Sequence, residues 1–134
     1  MSAFQTTRLS TSPVEPAPDG SAVRPLLRLP GGAMAHFELG AGMVSHAVCH
    51  RTVSELWFIV SGCGHMWRKE GEHEETVPLR NGVCLSIPCG THFQFRAASD
   101  ASVVAIAVTM PPWPGPEEAI AVDGPWSPSQ TAQD

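Results

Sequence analysis

Two histidines and a glutamate stand close together in GAGMVSHAVCHRTVSELWFIVSG, residues 40–62: His46, His50 and Glu55. Imidazole and carboxylate are the donors that hold divalent iron, manganese, nickel or zinc. They are equally the groups that move protons near neutral pH. Side chains alternate faces along a strand, so His46, Val48 and His50 share one face if this segment is extended. Glu55 then opens the next strand. If that face lines a barrel interior, His50 and Glu55 converge on one point. His36 and Glu38 in AHFEL, His65 and Trp67 in GHMW, and His92 and Gln94 in HFQF are further same-face pairs. Met34, Met66, Trp57, Phe58, Phe93 and Phe95 read as core packing, and any that face a cavity make its occupant partly apolar. His73, in EGEHEE, reads as a solvated hairpin tip.

The elements that must position these groups are short strands. MAHFELG, MVSHAVCH, ELWFIVSG, GHMWRKEG, EETVPL, GVCLSIP, HFQFRA and ASVVAIAVTM are each of strand length and are separated by turn residues. Asn81-Gly82 is a strong turn dipeptide. No stretch combines caps with a sustained helical period, and PEEAIAV has room for one helical turn. About eight short strands in one domain predict an all-β sandwich or double-sheet jelly roll. Composition divides the chain into an extended Pro/Ser-rich arm over residues 1–24, a single barrel domain with a packed Pro/Trp-rich tail over 25–126, and a loose end over 127–134.

With 134 residues, a core can form without staples. A formal charge of −5 and scattered basic residues argue against nucleic acid or an anionic membrane as partner. No apolar run approaches the roughly 20 residues that span a bilayer, and MSAFQTTRLSTSP lacks the order of a signal peptide. A cytoplasmic location is the default. Cys49, Cys63, Cys84 and Cys89 form no CxxC pair, which argues against a zinc ribbon. They read as small buried hydrophobes in a reducing compartment.

Gly40, His46, His50, Glu55 and Gly62 resemble the first cupin motif, G-x5-H-x-H-x3-4-E-x6-G. Gly82, Pro88 and Gly90 in GVCLSIPCGTHFQF resemble the second, G-x5-P-x-G-x2-H-x3-N. The closing VTMPPWPGPEEAIAVDGPW is similar to the end of small single-domain bacterial cupins. The resemblance implies a double-stranded β-helix, or jelly-roll barrel, with a divalent metal in its lumen, and a homodimer. It implies His50, Glu55, His92 and His46 as the metal set. Two positions depart from the motifs: counted back from Glu55, the first histidine slot holds Val48, and the slot three after Gly90 holds Phe93, with His92 one position early. Only His50 and Glu55 keep register, and His92 rejoins them if the loop after Gly90 is tight.

Two enzyme readings follow, and one that is not catalytic. In the first, a lumen metal acts on a small carboxylate- or carbonyl-bearing substrate by oxygenation, isomerisation, decarboxylation or elimination, with His46 or His36 as general base beside His50 and Glu55. In the second, a metal-free lumen binds a small molecule or works on it by acid–base catalysis. The third is a non-catalytic, partner-binding barrel whose arm is exchanged between copies. The chain has no tyrosine, so it lacks a device common in cupin epimerases, thiol dioxygenases and dimethylsulfoniopropionate lyases.

Overall fold

A computed structural model describes residues 4–11 and 13–129. They form ten strands in chain order: β1 Glu15–Pro16, β2 Ala22–Leu29, β3 Gly32–Leu39, β4 Val48–His50, β5 Ser54–Glu70, β6 His73–Arg80, β7 Cys84–Ile87, β8 His92–Ala97, β9 Val103–Met110 and β10 Ala119–Ala121. Helix is confined to two 3-10 turns, Leu9–Thr11 and Pro116–Glu118. No helix among the described residues is long and apolar enough to cross a membrane. The architecture is the expected all-β barrel.

β5 organises it. The segments ELWFIVSG and GHMWRKEG, read as two strands, are one strand of 17 residues. Its first half pairs with β9 and β7, and its second half with β6 and β8, so one strand belongs to both sheets. The change of sheet falls at Gly62–Gly64, close after a bulge between Ile59 and Ser61. At Gly64 a Cβ would strike the Arg96 carbonyl oxygen of β8 and lie 2.8 Å from a Val103 methyl of β9. Only a residue without a side chain lets the two sheets close there.

One sheet runs β1-β2-β3-β9-β5-β7 and the other β10-β4-β8-β5-β6. Along β5, Glu55, Trp57 and Ile59 point inward and are buried, whereas Leu56, Phe58 and Val60 point outward. Ile59, Met66, Phe93, Phe95 and Ala105 are at most 2% exposed and join the two inner faces into one core.

The sequence reading missed β2. AVRPLLRL contains Pro25, which breaks the strand signal; the strand absorbs it at a register shift between Pro25 and Arg28. β1 pairs onto β2 through Glu15↔Val23 and Pro16↔Ala22, so residues 15–16 and 22–24 of the predicted arm lie on the sheet, joined by a tight loop. The predicted strand over MVSHAVCH shortens to residues 48–50; the His46 N–H donates to the Asp19 carbonyl of the arm rather than to β8. Of the end predicted to be loose, Ser129 bonds Val44, and residues 130–134 lie outside the described residues. The cysteines depart from expectation: Cys63, Cys84 and Cys89 are exposed and Cys49 is half-buried. Cys84 sits opposite Phe58 on the outer side of the sheet, so the alternation that buries Leu85 turns it outward.

Replacing Gly64 by Ala is expected to lower stability by about 1–3 kcal/mol in chemical denaturation. Gly31→Ala, where a new Cβ meets nothing within 4 Å, is expected to stay within about 0.5 kcal/mol.

Candidate active site

β4 and β5 leave a sharp turn, Arg51–Val53, between His50 and Glu55. Glu118, from the 3-10 turn that follows the Pro-rich stretch, fixes it. Its carboxylate accepts from the Thr52 and Val53 backbone N–H groups and, at 2.8 Å, from the Thr52 hydroxyl. With the turn held, alternation sends Val48, His50, Glu55 and Trp57 to the inner face. All four line one cavity of about 360 Å³. Phe37, Phe93, Thr109 and Trp113 add to its wall, and residues 15–19 of the arm form another side.

His50 and Glu55 converge. Nδ1 of His50 lies 3.7 Å from Oε2 of Glu55, and the two side chains are 6% and 3% exposed. That distance is in ion-pair range but beyond a direct hydrogen bond, and His50 Nδ1 is a buried polar atom with no hydrogen-bond partner. Oε1 of Glu55 accepts from the Trp57 indole N–H at 2.6 Å. Burial drives the two groups in opposite directions. It pushes Glu55 up to about 7, a shift moderated by the Trp57 hydrogen bond and reinforced by the nearby Asp19 carboxyl. It pushes His50 down to about 4, opposed by the negative charge of Glu118. Between those values both groups are neutral, so the contact is an acid beside a base rather than an ion pair.

Aromatic edges close the site. The His50 ring meets Phe93 at 5.3 Å and Trp113 at 5.1 Å, both edge-on, and Trp57 stacks on Phe37 at 5.4 Å. Trp57 and Phe93 are thus both core and cavity wall.

The other candidates do not reach the cavity. Strand geometry begins only at Val48, so alternation does not extend to His46. That residue lines a separate depression with Gln94 and Trp126. After Gly90 the chain makes an ordinary turn, Thr91 N–H donating to the Pro88 carbonyl with Gly90 at φ +86°. β8 therefore enters in the register that buries Phe93 and pairs His92 with Lys69, away from the lumen. His36 pairs with Arg24 and Ile106, and its neighbour Phe37 takes the inward position. Among the described residues, no three or more His, Cys, Asp or Glu side chains are grouped so as to hold a metal ion. With Val48 and Phe93 in two ligand slots, the residues present do not fit a resident metal.

Sequence reasoning missed Asp19, Thr109, Trp113 and Glu118. PAPDGS lies in the segment read as an extended arm and PEEAIAV in one read as a single helical turn, and nothing local tells that Asp19 reaches the lumen or that Glu118 holds the turn beside it.

Several solved structures share this architecture. They include a point variant of Streptomyces Pac13 with uridine, 15% identical over 91% of this chain and 92% of that one, with a TM-score of 0.69. A cupin protein from Bacteroides fragilis is 23% identical over 83% and 86%, with a TM-score of 0.63. Fe(II) HppE is 17% identical over 79% of this chain and 60% of that one, with a TM-score of 0.65. The chain has the cupin fold. Pac13 is described as a nucleoside dehydratase. No family model matches the sequence, and no curated protein does.

Because the indole N–H stabilises the charged form of the carboxylate, Trp57→Phe is expected to raise the Glu55 pKa further above about 7. Carbon-detected NMR titration of the glutamate carboxyls reads this shift directly.

Proposed function

We propose that this cupin barrel is a metal-independent enzyme that moves protons on a small molecule, with His50 as general base and Glu55 as general acid. The observation that carries the reading is their convergence, both buried, on one cavity with opposite pKa shifts. His50 Nδ1 has no protein partner and is free to take a proton from a substrate C–H or O–H. The carboxyl of Glu55 is held at Oε1 by the Trp57 N–H, so its proton resides on Oε2, facing the same space. A substrate between them gives up a proton to one and receives a proton at its departing hydroxyl or its carbonyl oxygen from the other. Elimination of water and isomerisation are the reaction classes that need these two transfers and nothing else. The description of Pac13 as a dehydratase supports this by analogy of fold.

His50 is in its base form above about pH 4, and Glu55 in its acid form below about pH 7. The rate on a dehydration or isomerisation substrate is expected to rise through the first value and fall through the second. His50→Ala and Glu55→Gln are each expected to lower kcat/KM by about 10²–10⁴-fold. Elemental analysis should find substoichiometric metal, with the rate unchanged by chelator. A rate lost on chelation and restored by Fe(II) would overturn the reading.

We also propose a homodimer through the outer face of β5 and its neighbours. Leu56, Phe58 and Val60 are 52%, 47% and 38% exposed, and Met34 and Met110 extend the strip onto β3 and β9. Three successive outward apolar side chains on a central strand form a continuous patch of the kind that marks an interface. Phe58→Glu is expected to convert a dimer into a monomer in sedimentation velocity, and a wild-type monomer would sink the proposal.

A further inference from the structure

The cavity holds a second carboxyl, and it comes from the arm. Asp19 sits in a tight loop closed by Ala17 N–H to the Ser21 carbonyl and Gly20 N–H to the Ala17 carbonyl. Its own carbonyl accepts from the His46 N–H at 2.7 Å, which ties the loop to the barrel. Its side chain, 6% exposed, lines the same cavity as Glu55 and lies near enough to raise the pKa of that group. The Ser21 N–H and hydroxyl both donate to Oδ1, at 3.0 and 2.6 Å. Ser21 thus locks the carboxyl in place and leaves Oδ2 to receive a hydrogen from something else.

Opposite charge is scarce in the same space. Of the residues lining the cavity, Arg28 alone is a permanent cation, and it is exposed. Two buried polar atoms of the lining lack a hydrogen-bond partner, His50 Nδ1 and the Thr109 hydroxyl. Aromatic faces and edges make up much of the remaining wall.

We propose that Asp19 is a ligand-binding residue of the lumen, and that with Glu55 it selects an uncharged, ring-bearing molecule rich in hydroxyl or N–H donors while turning anions away. This rests on the lumen being the site of the proposed enzyme, but not on which groups move protons. An anion entering here sheds its water beside two carboxyls and finds no buried cation in return. A hydroxyl or N–H donor instead gains Asp19 Oδ2 or His50 Nδ1, and a carbonyl or ether oxygen on the same molecule gains the Thr109 hydroxyl. Each orphaned polar atom is then satisfied. The ring meets Trp57 and Trp113. Of the carboxylate- or carbonyl-bearing substrates expected from the sequence, this selection favours a neutral, carbonyl-bearing one.

Binding is read without turnover, by tryptophan fluorescence and saturation-transfer NMR at pH 7.5. The probes are two matched pairs: uridine against uridine 5′-monophosphate, and benzyl alcohol against benzoate. The neutral member of each pair is expected to bind about tenfold tighter or more. In Asp19→Asn that ratio is expected to shrink about threefold or more, while His50→Ala leaves the preference for the neutral member in place. Asp19→Ser serves as a second variant should the asparagine protein fail to fold. Equal or tighter binding of the anions, an unchanged ratio in the folded Asp19 variants, or no binding by either neutral compound would each overturn the proposal. Charge preference retained in a protein whose activity ignores His50 and Glu55 would instead refute the acid–base reading and leave this one standing.

Discussion

The Glu118 carboxylate, clamped on the turn between β4 and β5, is the interaction on which the site depends. Burial alone would push this acid toward its neutral form. The hydrogen bonds from Thr52 and Val53, with His50 nearby, outweigh that and hold it below the usual carboxylate range. An ionised carboxylate accepting from backbone N–H groups is the strong kind of hydrogen bond. It fixes where β4 stops and β5 starts. A one-residue slip on either side would turn His50 or Glu55 to the outer wall. The clamp also sits close enough to His50 to oppose the fall of its pKa. One acid outside the lumen therefore sets both the geometry and part of the electrostatics of the pair inside it.

The dual membership of β5 turns this local arrangement into a cavity. A strand paired with β9 and β7 at one end and β6 and β8 at the other draws the two sheets together at Gly62–Gly64 and lets them diverge toward Ser54. Glu55 lies near the Ser54 end, in a space lined by residues of the arm and by Trp113 and Pro116. The arm and tail contribute no long strands, yet both line the cavity. Their Pro-rich composition suits segments that cross the ends of strands rather than join a ladder.

The sequence made the barrel and its central pair legible, because strand alternation and turn residues are local signals. His50 and Glu55 could be placed by counting from Gly40 and Gly62. Phe93 could be placed by counting from Gly90, and its fit to a standard turn kept His92 out of the lumen. What stayed illegible depends on contacts far apart in the chain. Glu118 acts 65 residues away on Val53, and Asp19 reaches the cavity of Glu55 from a segment whose composition reads as an extended arm. β2 was hidden by its proline. The cysteines were misjudged because apolar character predicts burial only where the face is known, and Cys84 lies on the outward face of its strand.

The two departures from the cupin motifs bear on the chemistry in a connected way. Val48 and Phe93 stand where ligands would be: Phe93 sets its ring against His50 and Trp57, and Val48 adds hydrocarbon to the same cavity wall. Removing those donors makes a metal harder to hold, and it also dries the surroundings of the two ionisable groups that remain. Drying raises a carboxyl and lowers an imidazole together, which is the direction both groups take. A metal site works by keeping its imidazoles neutral and its carboxylate charged. This lumen keeps the imidazole neutral but holds the carboxyl in reserve as an acid. In the proposed reading, the same substitutions that exclude the ion prepare the proton-transfer pair, and only the carboxylate had to change its role.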